Sequence, residues 1–568
     1  MTLRPVAAIF GGTACLLLLS TSGWSAQVPS RDTAGAEESR FKERRSEEKP
    51  ASAAPAVVES EKPAASAEPS GPMFKVTEIR LSGNYSIPDA ELLPFADPLL
   101  KGDTSLAAIR AVVEEMKKYY RSKGFPAAYV YVPPQQVQDG RLKIEVLEGR
   151  LGQIKVGPTQ FFSEDLVRRQ FSAKPGDVLR YEPLRRDLAR INENPDLKAK
   201  AVLSPGAATG TTDIEVETEE RYPVHFGAEI NNSGTDNTGE NRYGLNASNS
   251  NLFGNTDRLN GSVQWGEGVQ ALGAGYELPL LDSRVRAGYS YSYATVDVGG
   301  SFAALDVEGF ARTHRFYLTR PVWESEDVDV DATLGYDVKS VENKLLGEVF
   351  GKDELREPNA EIALRQHDDG GSTFFLNRLT WGLADFAGSS RKNDPRASRA
   401  HTGGDFISYR GTLARYQKLP GDTLLSVRGT LQMSPDALAP SEQISLGGAR
   451  SVRGYQEGEY LGDNGEYVSV DFYYPAFFLP DDWRLPHSKE TVKQQVQGIL
   501  FADAGRATLR YPLAGEKKDR EPAGVGLGFR VHLYDKMYAR LEWAFPIGDR
   551  ALDGRSNSFY FTVSYDFF

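Results

Sequence analysis

Apolar and polar residues follow three rhythms along this chain, and each rhythm holds its own stretch. From Met73 the sequence Phe74-Lys75-Val76-Thr77-Glu78-Ile79-Arg80-Leu81 alternates with period two, the mark of a strand with one covered face. Thr104 then opens a predicted helix. Leu106, Ile109, Val113, Met116 and Tyr120 recur at alternating three- and four-residue steps, laying one apolar stripe along it. Two more strands are expected, from Ala128 to Val132 and from Leu142 to Val146. Strand, helices, strand, strand describes a small α+β module.

The same order returns further on. Lys101-Gly102-Asp103 has a counterpart in Pro175-Gly176-Asp177, and Ile144-Glu145-Val146 in Ile214-Glu215-Val216. Leu184, Leu188 and Ile191 supply the apolar face of the second module's helix. Two tandem copies of one module are expected, residues 73–149 and 150–220; the competing reading is two unrelated α+β folds.

Beyond Tyr222 the helical period largely disappears. Leu259, Gly261, Val263 and Trp265 alternate with Asn260, Ser262 and Gln264. Val285 to Tyr293 and Met537 to Trp543 do the same, with Arg540 and Glu542 on the polar phase. Turn formers such as Asn231-Asn232-Ser233-Gly234 separate the runs. A soluble sandwich would also alternate. A membrane barrel suits residues 221–568 better, because the run is long and unbroken, aromatics recur near strand ends, and a wet lumen tolerates charges on the inner phase.

The N-terminal stretch adds an address. Arg4, an apolar run from Val6 and small residues to Ala26 make a secretory signal peptide over residues 1–26. Residues 27–72 are rich in Ala, Pro, Glu, Ser and Lys; they are expected to be a disordered linker, having too little apolar surface to offset ordering entropy. The charged run Glu37 to Lys49 suits at most a solvated helix, since only Phe41 offers anything to pack.

Composition narrows the chemistry. The only cysteine, Cys15, lies in the signal segment, so a processed chain has neither disulfides nor thiolate metal sites. A net charge of −12 argues against a general nucleic-acid binder. The six histidines fall in no metal-binding or Ser-His arrangement, and no phosphate loop is present. His367-Asp368-Asp369, followed by Gly370-Gly371, reads as a polar turn more simply than as a protease site. No catalytic residue, metal or cofactor is therefore expected.

The remaining candidate chemistry is a charge pair among glycines. Gly447-Gly448-Ala449-Arg450-Ser451-Val452-Arg453-Gly454-Tyr455 is a Gly-rich loop carrying arginines, and Phe501-Ala502-Asp503-Ala504-Gly505 reads as a strand end with one carboxylate. Arginine keeps its charge and presents a rigid fork to a carboxylate. One reading is an internal lock in a conduit; the other is a surface turn with a rim salt bridge of little consequence.

These two segments resemble the signature loop and wall motif of two-partner secretion transporters of the haemolysin secretion/activation type. Gly124-Phe125, Tyr131-Val132-Pro133-Pro134-Gln135, Asp139-Gly140 and Val146-Leu147-Glu148-Gly149-Arg150 resemble the end of that family's first POTRA module. The resemblance covers residues 73–568. It implies a transmembrane antiparallel β-barrel of sixteen strands preceded by two small α+β POTRA modules, with a loop around 446–465 folded back into the pore. Arg453 would sit at the loop tip and pair with Asp503 on the inner wall. Gly447, Gly448, Val452, Gly454 and Tyr455 would form the loop motif, and Phe501 and Gly505 the wall motif. Phe567 and Phe568 would serve as the terminal assembly signal. The implied task is to recognise an unfolded exoprotein in the periplasm of a Gram-negative bacterium and pass it to the cell surface, without enzymatic activity. Implied partners are that exoprotein, outer-membrane lipids, and the barrel assembly machinery with periplasmic chaperones; nucleic acid is not one. The alternatives are an outer-membrane protein insertase, whose usual larger module number argues against it, and a plugged porin or receptor for a small ligand.

Overall fold

The structure, a computed structural model, describes residues 57–59 and 73–567 except 138–139, 281–283, 326, 481, 487, 489–490 and 535. The expected signal peptide, most of the 27–72 tract, Asp139, His487 and Phe568 lie outside the described residues. Two compact units are present, one ending at Tyr222 and the other beginning at Pro223.

In the first module the strand Glu78–Ser82 lies parallel to Arg141–Leu147, whose other side takes Tyr129–Tyr131 antiparallel. The helix Leu106–Ser122 covers this sheet with Ile109, Val113, Met116 and Tyr120, all buried beside Leu142, Ile144 and Val146. Two details depart from expectation. Ser105, not Thr104, caps the helix, its hydroxyl accepting from the Ala108 amide, while Thr104 pairs with the Phe74 backbone in a short ladder. Leu106 is exposed: helical side chains lean toward the N-terminus, and at the first position that direction points past the covered face.

The second module repeats the plan. Arg150–Val156 lies parallel to Thr211–Glu220, and Leu197–Pro205 runs antiparallel beside it. Ile214 and Val216 take the places of Ile144 and Val146: Ile144 lies opposite Leu81 and Val146 opposite Val130, while Ile214 lies between Ile154 and Leu203 and Val216 between Val156 and Ala201. The helix Tyr181–Asn192 buries Leu184, Leu188 and Ile191 in a separate core. One piece of the expected linker is ordered. Val57–Glu59 adds to this sheet as a parallel strand against Ala201–Leu203, because an edge strand offers unpaired amides and carbonyls to any extended segment within reach.

From Val224 to Asp566 the chain closes into an antiparallel barrel of sixteen staves. One stave has two pieces, Asp519–Arg520 and Ala523–Leu533, both paired with Val496–Thr508. The first strand, Val224–Asn231, meets the last, Ser558–Asp566, with Gly227 opposite Asp566 and Asn231 opposite Thr562. An even stave number returns both ends to one rim, and closure pairs the edges that lipid could not satisfy. Leu259, Val263 and Trp265 face outward on one strand, as Leu541, Trp543 and Phe545 do on another. Three consecutive strands run to 18, 18 and 21 residues. A tilted membrane strand needs only about ten, so these project well beyond the bilayer.

Candidate functional site

Between the strands Thr423–Met433 and Asn464–Pro475 the chain leaves the rim remote from the barrel's two ends and folds into the lumen. Its legs pair through Ile444–Leu446 and Tyr460–Gly462, and Val452, Tyr455 and Tyr460 gather into a small buried cluster with Ile444 and Leu446. Gly447, Gly448 and Gly454 all hold positive φ, at 109°, 98° and 106°, where a side chain is strained. At Gly454 the need is doubled, since a Cβ would stand 2.8 Å from the Pro546 nitrogen on the adjoining wall.

The tip presents Arg453, whose residue is 1% exposed. Its Nε and Nη2 grip the two oxygens of Asp503 at 2.7 and 2.6 Å, and its backbone amide donates to the same carboxylate at 3.0 Å. Nη1 reaches Glu542 at 2.6 Å, and Nη2 also reaches Asp471 at 2.7 Å and the Ser469 hydroxyl at 3.0 Å. Alternation explains the convergence. Asp503, Asp471 and Glu542 occupy the inward phase of three strands whose outward phases carry Leu500, Val468 and Trp543.

Burying three carboxylates requires more than one cation. Arg540 supplies another, 2.7 Å from Glu542 and 3.4 Å from Asp471, and Arg428 lies 3.8 Å from Asp471. Three buried acids thus face three arginines, Arg453 buried and Arg540 and Arg428 partly exposed. Such a cluster costs desolvation to assemble, and removing one member leaves uncompensated charge worth about 3–5 kcal/mol.

The residues beside Arg453 complete the seat. The Phe501 ring lies under the guanidinium, 3.5 Å from its centroid. The Gly454 amide donates to the Tyr560 hydroxyl at 2.9 Å, and that hydroxyl donates onward to the Tyr455 carbonyl at 2.5 Å. Tyr455 sends its own hydroxyl to the Asp549 carbonyl at 2.7 Å, tying the tip to the connection 547–557. Val452 is fully buried. Gly505 leaves room for Leu446 of the loop, whose Cδ1 would come within 3.2 Å of an added Cβ.

Sequence reading brought Arg453 and Asp503 together but missed Asp471, Glu542, Ser469, Arg540, Arg428 and Tyr560. A signal for two of them was available. Asp471 and Glu542 are carboxylates on the polar phase of otherwise apolar strands, flanked by Val470 and Phe472 and by Leu541 and Trp543. Phe567 stands apart from this centre, exposed beside Tyr565, its amide donating to the Phe226 carbonyl at 2.8 Å. His367 also stands apart: it is a strand residue paired with Ser372, and its neighbour Asp368 is held by Arg415 at 2.6 Å.

Comparison with known proteins agrees with this architecture. The family model for the haemolysin secretion/activation protein ShlB/FhaC/HecB matches residues 210–531, and that for the ShlB-type POTRA domain matches residues 74–149. The outer membrane transporter CdiB of Dickeya dadantii (strain 3937) is 24% identical over 427 residues, covering 72% of this chain and 74% of CdiB. The heme/hemopexin transporter protein HuxB of Haemophilus influenzae is 23% identical over 418 residues, covering 72% of this chain and 74% of HuxB. The solved structure of CdiB from Escherichia coli superposes with a TM-score of 0.69 at 20% identity, over 95% of this chain and 99% of that one. With a closed sixteen-stave barrel, an in-folded loop bearing Arg453 and a matching POTRA domain ahead of them, the chain belongs to the haemolysin secretion/activation protein family ShlB/FhaC/HecB.

Proposed function

We propose that this outer-membrane barrel exports a large unfolded exoprotein, and that the Arg453 centre holds the in-folded loop across its pore until export begins. The observation that carries the reading is one guanidinium, offered by a loop inside the lumen, bonded to carboxylates on three wall strands. A loop fixed this way obstructs a chain in transit, so transport requires the contacts to loosen. No covalent step is needed: a substrate that folds at the cell surface cannot return, and that asymmetry drives the movement.

In this reading the modules receive the substrate. An extended segment can add to a sheet edge, gaining backbone hydrogen bonds while side-chain pockets select its sequence. Tyr129–Tyr131, which ends the first module's sheet, is such an edge. Chaperones and the barrel assembly machinery would deliver the transporter itself, with Phe567 in its terminal signal. Co-expression with the exoprotein tests the function: release into the medium that depends on this chain supports it. Loss of many unrelated barrel proteins on deletion would instead favour an insertase, and ligand uptake without protein release a receptor.

A further inference from the structure

A second buried carboxylate with many donors lies at the base of the loop, away from its tip. Asp463 is fully buried and directly precedes the strand Asn464–Pro475. Its Oδ1 accepts from Arg399 Nη1 at 2.6 Å, the Leu438 amide at 2.7 Å and Gln443 Nε2 at 3.1 Å. Its Oδ2 accepts from Arg399 Nη2 at 3.0 Å and the Arg510 amide at 2.6 Å. These donors belong to separate stretches of chain. Leu438 and Gln443 lie on the outgoing leg of the loop, Arg399 on the connection 383–405, and Arg510 on the connection 509–518.

Arg399 ties the same stretches again. Its Nη1 donates to the Leu438 carbonyl at 3.0 Å and its Nη2 to the Arg510 carbonyl at 2.6 Å. The fork therefore spans a carboxylate on the returning leg, a carbonyl on the outgoing leg and a neighbouring connection. Bidentate geometry fixes orientation as well as distance. The side chain of Arg399 is 13% exposed and that of Asp463 not at all, so water screens the pair poorly.

We propose that Asp463 and Arg399 are a second anchor of the in-folded loop, through which the outer connection 383–405 clamps the loop's two legs at their base. The tip is held by barrel strands through Arg453, whereas the base is held by a connection between strands. The two anchors share no side chain, so their losses combine independently. Movement of 383–405 would loosen the loop without touching Arg453. Both residues are positioning residues. The inference rests on the loop obstructing the pore, and its test reads ion current without any exoprotein, so it stands or falls separately from secretion.

The full-length Arg399→Ala protein is purified, its barrel assembly verified by heat-dependent electrophoretic mobility, and its current recorded in planar bilayers. Expected are more frequent open events than in the unmodified protein, an intermediate level for Arg399→Lys, and an Arg399→Ala/Arg453→Ala protein that opens more than either single variant. Currents at or below those of the unmodified protein would overturn the proposal, as would a double variant no different from Arg453→Ala alone. Should Arg399→Ala fail to assemble, Gln443→Ala removes another donor from the same carboxylate. An increase in opening then supports the anchor, and no increase overturns it.

Discussion

The Arg453 guanidinium stacks on Phe501 at 3.5 Å while its nitrogens bond the two oxygens of Asp503, two positions further along the same strand. The strand's inward phase thus offers a π face and a carboxylate to one side chain. The two contributions differ in size. A desolvated cation–π contact is worth about 2 kcal/mol or somewhat more, whereas stranding a buried charge costs about 3–5 kcal/mol. Phe501→Leu is therefore expected to raise channel opening less than Asp503→Ala. Planar-bilayer recordings of the two assembled variants give the order directly.

Glu542 and Arg540 share a strand and a 2.6–2.7 Å network with Arg453. Glu542→Gln leaves the buried Arg453 and the partly buried Arg540 short of one negative charge. Arg540→Gln removes one of the cations that this charge balances. The double variant should be less destabilised than the sum of the singles, a coupling of about 0.5–3 kcal/mol in a thermal or denaturant series. Simple additivity would show that the network is not a unit.

Gly454→Ala tests the seat without altering a charge. The residue sits at φ 106° with the Pro546 backbone against it, so a methyl group adds strain and a collision. Strain of this kind costs about 1–3 kcal/mol. Limited proteolysis should cut within 446–465 faster in Gly454→Ala than in the unmodified protein, whereas Gly429→Ala, on a barrel strand, should leave the loop protected.

Acid should weaken the second module through one identifiable group. The Lys155 ammonium, 2.9 Å from Asp213, together with the Gln153 side chain, holds that carboxyl below its usual range. A depressed folded pKa contributes stability that is fully present above the ordinary carboxylate value and is lost as pH falls from there through the lower folded pKa. Hydrogen-exchange protection at Arg150–Val156, taken relative to intrinsic exchange at each pH, is expected to hold from neutral pH to about pH 4, the ordinary Asp value, and to fall below it, and Asp213→Asn should flatten that dependence.

Much of this was legible in the chain, for reasons that also mark the limit. Alternation is a local property, so Met537–Pro546 announced itself as a strand with Glu542 inside, and the Ile144 and Ile214 segments announced a repeated module. Glycines that require positive φ placed the loop's turns at Gly447, Gly448 and Gly454. Partners set by barrel register were not legible. Nothing near Arg453 indicates that Asp471 and Glu542, on two different strands, reach it together, or that Arg399 will meet Asp463. The strand Val57–Glu59 was hidden because its partner is a sheet edge distant in the chain, which no local pattern announces.

The central claim is that the Arg453–Asp503 contact controls passage of an exoprotein through this barrel. The most direct measurement is the amount of exoprotein released by cells carrying Arg453→Ala or Asp503→Ala, scored only where the variant barrel assembles in the outer membrane. Both assembled variants are expected to release an amount of exoprotein that departs from that of the unmodified protein, because the contact that holds the loop is gone. Normal release by both would contradict it.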